Sequence, residues 1–171
     1  MRFLTSLLAV AALVCGAALT TAHAQAADAR LTVTRVIDAS VDDVWGQIRQ
    51  LDDLAEFSSL IASVDYTGDL GVGGKRVCTA PDGQGKYVES IVGFDDATRS
   101  YRYAVVEGVP VQGLVNGFKV VDLGYNKAMV VWTSTYESFV ENPQMTEEQF
   151  VGFMQGAINE MLDNYAAAAK A

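Results

Sequence analysis

Residues 146–165, with the sequence TEEQFVGFMQGAINEMLDNY, indicate how the rest of the chain folds. Thr146 and Gln149 stand three residues apart, as in a capping box at the start of a helix, and Pro143 ends the preceding segment. Apolar side chains then recur at spacings of three and four residues, as they do along one face of a helix. These side chains are Phe150, Phe153, Met154, Ala157, Ile158, Met161 and Tyr165. So long an apolar stripe needs a large apolar surface to cover it.

The preceding part of the chain has the pattern of strands and tight turns, and it supplies that surface. Six strands are predicted, separated by turns rich in Gly, Pro, Asp and Asn. They cover residues 64–66, 75–80, 86–94, 99–107, 114–123 and 128–139. Consecutive strands joined by short turns form an antiparallel meander, so an α+β fold is predicted in which a sheet wraps around one long C-terminal helix.

A seventh strand and two short helices are predicted before the meander. Alternating residues over 30–37 predict the strand. Ser40 stands where it can cap a helix over 41–51, and Asp42 and Asp43 in its first turn suit the helix dipole. A second short helix is predicted over 52–60. The expected sheet is therefore antiparallel and seven-stranded.

Residues 1–24 have the composition of a secretory signal peptide. A positive Met1-Arg2 start precedes an apolar stretch over 3–19, and Ala22-His23-Ala24 matches the small-x-small cleavage pattern. An uncleaved anchor is the alternative, because about 17 apolar residues lie at the lower limit of membrane-spanning length. The cleavage pattern favours removal, so we expect a mature chain starting at Gln25, periplasmic or secreted, with no stable membrane insertion.

Cleavage would leave residues 25–171 as one domain with few options for chemistry. Loss of Arg2 leaves 11 basic and 21 acidic residues, a balance that argues against nucleic acid and against anionic membranes. Loss of His23 and Cys15 removes the only histidine and leaves Cys78 alone, which excludes an intramolecular disulfide and any imidazole metal site. The glycine-rich residues 68–74 lack the ending of a phosphate loop and predict a bend before a strand. We expect no metal centre and no cofactor.

Several stretches resemble the START-type, birch-pollen-allergen-like (SRPBCC) superfamily, most closely its polyketide cyclase/dehydrase-like branch. Residues 40–45 (SVDDVW) resemble the start of its first helix, residues 71–76 (GVGGKR) its glycine-rich bend, and residues 130–133 (VVWT) its final strand. The likeness extends over residues 31–165. It implies the helix-grip fold, in which a seven-stranded antiparallel sheet holds the C-terminal helix around a pocket for hydrophobic ligands. Exported members of the superfamily include ones associated with periplasmic methanol oxidation.

The resemblance also implies which residues line the pocket. The positions that match by pattern are Glu89, Tyr103, Asn116, Phe118, Glu137, Phe150, Met154 and Ile158. Residue 62 is alanine, where the plant hormone receptors of the superfamily hold a ligand carboxylate with lysine, so that ligand class is not transferred.

Two polar features follow from the residues themselves. Across the predicted hairpin, Arg76 lies within about one residue of Glu89, and an ion pair at the cavity wall is expected because an isolated buried carboxylate costs several kcal/mol. Solvent exposure of either Glu89 or Glu137 is the alternative. Tyr101 and Tyr103 stand two residues apart on one predicted strand, and Tyr87 lies on the adjacent strand. These tyrosines either line the pocket or pack in the core.

The function expected from these features is binding or carriage of a hydrophobic or amphipathic small molecule outside the cytoplasm. One alternative is a cyclase-like or hydro-lyase enzyme that uses Glu89 or Glu137 with tyrosine hydroxyls, although no nucleophile accompanies them. Another is an accessory protein that docks an exported enzyme.

Overall fold

The computed structural model describes residues 29–170, so the predicted signal peptide and its cleavage site lie outside the described residues. The described chain forms nine strands, two α-helices and one 3-10 turn at Leu54–Glu56. The strands are β1 Leu31–Ile37, β2 Ser63–Thr67, β3 Lys75–Thr79, β4 Lys86–Asp95, β5 Ser100–Glu107, β6 Val111–Gln112, β7 Leu114–Gly124, β8 Lys127–Thr135 and β9 Ser138–Phe139. The helices are α1 Val41–Ile48 and α2 Glu147–Ala168.

Seven of the strands form one antiparallel sheet in the order β1-β8-β7-β5-β4-β3-β2. Strand β1 pairs with β8 along its whole length, so the first strand of the chain forms one edge of the sheet, next to the last long strand. The short strands β6 and β9 pair separately and form a two-stranded sheet. With α2 against the inner face of the large sheet, this is the α+β helix-grip fold, as predicted.

Both helices begin at the predicted caps. The Ser40 side chain accepts a hydrogen bond from the Asp43 backbone N–H at 3.1 Å, which satisfies a free donor at the start of α1. The Thr146 hydroxyl accepts from the Gln149 N–H, and the Gln149 side chain accepts from the Thr146 N–H, which completes the capping box of α2. The start of each helix is thus fixed by its local sequence.

The second predicted helix, over 52–60, is only one 3-10 turn. The next backbone N–H groups donate to side chains and not to helical carbonyls. Ser59 N–H donates to Glu160 at 2.8 Å, and Leu60 N–H donates to the Ser58 hydroxyl at 3.3 Å. Leu54 and Phe57 are buried at a spacing of three, which suits a 3-10 turn.

The glycine-rich residues 68–74 form a bend that leads into β3, as predicted. Gly73 has φ +91°, a conformation that L side chains rarely adopt. A Cβ at Gly74 would lie 1.9 Å from the Tyr66 hydroxyl, so no larger residue fits there. The glycines therefore serve the turn and the close approach of β2.

The apolar stripe of α2 is covered unevenly by the sheet. Phe150, Ile158 and Tyr165 are buried, as is Leu162, which the sequence pattern did not include. Met154 and Ala157, midway along the same face, are only half-buried. Incomplete cover at the middle of the stripe marks a space between α2 and the sheet. Among residues 29–170, no helix is long and apolar enough to cross a membrane.

Candidate functional site

A cavity of about 240 Å³ lies between the inner face of the sheet and α2. Strands β4, β5, β7 and β8 form one wall, α2 forms another, and residues from three connecting segments complete it. The residues that line it are Ser58, Leu60, Ile61, Tyr87, Glu89, Tyr103, Val105, Gly108, Val109, Pro110, Leu114, Asn116, Trp132, Met145, Phe150, Phe153, Met154, Ala157, Ile158 and Met161. Most of them are apolar, so the cavity suits a molecule with a largely apolar body.

The polar part of the wall begins with a buried ion pair. Arg76 and Glu89 lie directly opposite each other on β3 and β4, and the Arg76 Nε–H donates to Glu89 Oε2. Arg76 is 1% exposed and does not line the cavity, whereas Glu89 does. The predicted pairing is therefore confirmed, with the arginine behind the glutamate.

Further contacts fix the Arg76 guanidinium behind the wall. Its Nη1 donates to the Leu51 carbonyl at 3.0 Å, and its Cζ lies 4.7 Å from the centre of the Tyr103 ring. Burial by itself lowers the pKa of Arg76, but the Glu89 carboxylate, together with Tyr101, Tyr103 and Cys78 nearby, more than offsets this and raises the pKa above its usual value. The guanidinium stays charged, and Glu89 has a permanent cationic partner.

Three more side chains with polar groups belong to the wall, and they come from β5, β7 and β8. Tyr103 on β5 lies opposite Asn116 on β7. Asn116 in turn pairs with Ser134 on β8, and Trp132 lies two residues before Ser134 on the same strand. All three line the cavity. Burial raises the pKa of Tyr103, and the negative charge of Glu89 raises it further, so this hydroxyl stays protonated. The wall therefore includes a tyrosine, an asparagine and a tryptophan beside one glutamate.

Tyr101 and Phe118, which were predicted as lining residues, lie in the core behind the cavity. The two rings are 5.2 Å apart between centres, and Tyr101 is 5.8 Å from Tyr103. Phe118 also meets Tyr165 of α2 edge to face at 6.2 Å. Burial raises the pKa of Tyr101 to about 12. These rings fill the space beyond the cavity and keep the sheet wall and α2 together.

The prediction that Glu137 faces the cavity is wrong. Strand β8 ends at Thr135, before the predicted end at residue 139, and the Glu137 N–H donates to the Gln112 carbonyl in the region of the small sheet. Glu137 is exposed, and its side chain lies against Gly113, where a Cβ would be 2.7 Å from Glu137 Cγ. Alternation along β8 also points residue 137 outward, because Val130, Trp132 and Tyr136 are the buried positions.

Of the remaining predicted residues, Phe150, Met154 and Ile158 line the cavity from α2. The loop at 108–110 contributes Val109 and Pro110 to the lining, whereas the turn at 81–85 contributes nothing. A Cβ at Gly108 would lie 2.1 Å from the Lys86 carbonyl oxygen, so this loop is held close to β4. This loop is therefore packed closely against β4 at Gly108.

Several lining residues were not predicted from the sequence. Trp132 follows the alternation of buried residues on β8, so the period-two pattern is the signal that could have identified it. Ser58 and Ile61 lie in the irregular segment after α1, and Met145 lies just before α2. No periodicity applies to such segments, so only the fold reveals their position.

Cys78 is buried next to the ion pair but does not line the cavity. Its Sγ is 3.9 Å from Glu89 Oε2. Burial raises the pKa of the thiol to about 12, and the nearby carboxylate adds to the effect. The thiol is therefore protonated at neutral pH, the form that is neither a nucleophile nor a metal ligand. Among residues 29–170, no three His, Cys, Asp or Glu side chains lie close enough to hold a metal ion.

The fold and the apolar cavity with a polar wall define a hydrophobic ligand-binding scaffold of the helix-grip type. Comparison with known families then gives a single assignment. The chain belongs to the family described as polyketide cyclase/dehydrase and lipid transport, whose model matches residues 28–170. Comparison with curated proteins gives no match.

Solved structures from several organisms have the same fold. An uncharacterised protein from Bacillus thuringiensis is 22% identical, with a TM-score of 0.71, over 82% of this chain and 98% of that one. The protein XoxI from Bacillus cereus is 24% identical, with a TM-score of 0.70, over 81% and 93%. Norcoclaurine synthase from Thalictrum flavum, in complex with dopamine and hydroxybenzaldehyde, is 20% identical, with a TM-score of 0.61, over 80% and 83%. At these identities the likeness concerns the fold.

Proposed function

We propose that this protein is exported and binds or carries one small apolar or amphipathic molecule in the cavity between the sheet and α2. The observation that carries the proposal is the cavity itself, about 240 Å³ in a region where the apolar stripe of α2 would otherwise meet the sheet. Protein interiors are close-packed, and a void of this size forfeits dispersion contacts all along its lining. Such a loss of stability is understandable if a ligand restores the contacts.

The polar wall supports binding more than catalysis. The one carboxylate that lines the cavity, Glu89, is held in place by an ion pair with the buried Arg76 guanidinium. Tyr103 is held in its protonated form by burial and by Glu89. Side chains held in this way are suited to orienting a ligand.

A proton-transfer enzyme is the second candidate function. It is supported by the one observation that the Glu89 carboxylate and the Tyr87 and Tyr103 rings line the same cavity. Ligand retention without turnover distinguishes the two functions. If protein from its native compartment releases an unchanged molecule into organic solvent, and mass spectrometry finds no product after incubation, a carrier is supported; product formation supports the enzyme.

Binding in this cavity is tested by filling it. Met154 lines the cavity from α2, whereas its neighbour Gln155 is exposed and does not. We expect Met154→Trp to abolish binding of the neutral probe N-phenyl-1-naphthylamine at little cost in stability, because the larger ring occupies empty space. Gln155→Trp is the matched control and should leave binding unchanged.

Two measurements on the same variants decide the outcome. Probe fluorescence gives the affinity, and urea unfolding gives the stability. Equal probe binding by both variants would exclude the cavity as the site. A loss of about 1–3 kcal/mol in Met154→Trp would mean that the residue is tightly packed core.

Export is the sequence-based part of the proposal and has its own test. Intact mass of the protein recovered outside the cytoplasm should correspond to a chain that begins at Gln25. Recovery of the chain with residues 1–24 still attached would contradict it.

A further inference from the structure

Helix α2 is tied to the rest of the protein at its two ends. In its first turn, the Glu147 carboxylate accepts a hydrogen bond from the Tyr136 hydroxyl at 2.6 Å and lies 3.6 Å from Arg30 Nη1. Towards its C-terminal end, Leu162 and Tyr165 are fully buried. Packing and polar contacts with other elements therefore fix both ends of the helix.

Polar contacts also hold the second half of α2 from residue 159 onward. Arg35 of β1 donates to the Asn159 side-chain oxygen at 3.2 Å. One turn along the chain, Ser59 donates to the Glu160 carboxylate twice, through its N–H at 2.8 Å and through its hydroxyl at 3.0 Å. This half of the helix is fastened both to the sheet and to the segment before β2.

The middle of the helix, residues 151–157, lacks such support. None of these residues is buried, and within the described chain none of their side chains makes a hydrogen bond or an ion pair with another element. Phe153, Met154 and Ala157 of this stretch line the cavity. The unsupported part of α2 is therefore the part that covers the cavity.

Two glycines weaken the same stretch. Gly152 and Gly156 lie in the helix interior, and a Cβ at either position would meet no atom within 4 Å. Packing thus does not require glycine at either position. Relative to alanine, glycine in a helix interior disfavours the helix by about fivefold in the equilibrium constant. Intrinsic propensity and packing are therefore both weak at the same level of α2.

Phe153 lies between this stretch and solvent. Among the large apolar residues of the described chain that line the cavity, it alone is exposed, at 40%. Segments with few buried apolar contacts are those that open locally in a folded protein. We propose that residues 151–157 form the entrance to the cavity, where α2 opens locally and the ligand passes beneath Phe153. The proposal rests on the proposed binding function and adds the route by which the ligand is exchanged.

The other sides of the cavity are fastened between elements. The sheet wall is a continuous series of paired strands. The loop at 108–110 is held by the hydrogen bond from Val140 N–H to the Pro110 carbonyl at 2.8 Å. The segment before β2 is held by the hydrogen bond from Ala62 N–H to the Thr79 carbonyl, also at 2.8 Å. Opening at any of these sides breaks contacts between elements, whereas opening at 151–157 breaks only hydrogen bonds within one helix.

Replacement of the two glycines tests the entrance on the purified protein, with N-phenyl-1-naphthylamine as the probe. Alanine favours the closed helix in the free and in the probe-bound protein alike. The double variant Gly152→Ala/Gly156→Ala should therefore slow association and dissociation of the probe by at least about fivefold each, while the dissociation constant stays within about twofold. Stopped-flow fluorescence measures both rates. Amide hydrogen exchange of residues 151–157 should be faster than that of 159–165 in the wild type, and slower in the double variant.

Gly46→Ala in α1 is the matched control. Gly46 also lies in a helix, a Cβ there would also meet no atom within 4 Å, and the residue does not line the cavity. This substitution should leave both probe rates unchanged. Glu160→Ala tests the neighbouring route, because it removes both hydrogen bonds with Ser59 and should leave the dissociation rate within about twofold. Faster dissociation from this variant would place the route beneath the segment before β2 and overturn the proposal.

The remaining outcomes separate the entrance from the function on which it rests. Unchanged probe rates in the double alanine variant would overturn the entrance and leave the binding function in place. Equal slowing by Gly46→Ala would overturn it as well, because the rates would then follow overall stability. Amide exchange at 151–157 no faster than at 159–165 in the wild type would have the same consequence. Failure of the wild type to bind the probe would overturn the proposed function, and the entrance with it.

Discussion

Removal of the negative charge of Glu89 is the most direct test of how the cavity wall is held together. Arg76 is 1% exposed, so Glu89→Gln leaves a buried cation whose remaining partners are the Leu51 carbonyl and the Tyr103 ring. Breaking a buried pair by removing one partner costs about 3–5 kcal/mol. The glutamine oxygen still accepts a neutral hydrogen bond, worth about 1 kcal/mol. We therefore expect a loss of about 2–4 kcal/mol in the free energy of unfolding.

A double-mutant cycle separates the pair from its surroundings. Arg76→Met combined with Glu89→Gln removes both charges and should recover at least about 1 kcal/mol of the summed single losses. Urea unfolding of the four proteins gives the coupling energy. The control is Asp163→Asn, which breaks the exposed pair with Arg35 and should cost less than about 1 kcal/mol. Coupling near zero, or a Glu89→Gln loss no larger than that of the control, would refute the ion pair as a support of the wall.

Three further predictions concern pH, metal and Glu137. Tyr101 and Cys78 have folded pKa values raised to about 12, so the stability they contribute is complete below their unfolded values of 10.0 and 9.0 and is lost as the pH rises towards 12. Between the unfolded pKa of each group and pH 12, unfolding free energies should fall by about 1.4 kcal/mol per pH unit for that group. Tyr101→Phe should therefore make the fall above pH 10 less steep, and an unchanged slope would contradict this. Chelators should leave unfolding midpoints and probe affinity unchanged, and a stoichiometric transition metal in the purified protein would contradict this. Glu137→Gln should leave probe affinity within about twofold, because Glu137 is exposed away from the cavity.

The sequence was sufficient to predict the features that depend on local pattern. The capping box at Thr146 and the stripe over α2 identify the helix, and the turn at 81–85 fixes the register that places Arg76 opposite Glu89. In the structure the turn is closed by the hydrogen bond from Ala80 N–H to the Gly85 carbonyl at 2.8 Å. Short-range hydrogen bonds of this kind are specified by neighbouring residues, which is why a single sequence reveals them.

The shape of the cavity could not be predicted because it depends on how the sheet bends. Register shifts interrupt the β4–β5 pairing between Val88 and Glu89 and between Ile91 and Gly93, and such bulges bend a strand and redirect its side chains. Tyr101 and Tyr103 have the same alternation, yet only Tyr103 lines the cavity. The distinction is set by where α2 approaches the sheet, a long-range property. The error at Glu137 has a similar origin, because the end of β8 is set by pairing between β6 and β9.

Within the described part of the chain, the side-chain oxygen Oδ1 of Asn116 has no hydrogen-bond partner, and this leads to a prediction about stability that has the opposite sign to most core mutations. Asn116→Leu is close to isosteric and removes a buried acceptor that lacks a partner, so the ligand-free protein should become more stable by about 1–2 kcal/mol. Asn164→Leu is the matched control, because the Asn164 side-chain amide donates to the Phe57 carbonyl at 2.9 Å and its loss should destabilise by about 1 kcal/mol. Urea unfolding of both variants gives the two signs. Destabilisation by Asn116→Leu would mean that the amide already has a partner, such as ordered water, in the free protein. Stabilisation would mean that the protein retains Asn116 at the expense of its own stability.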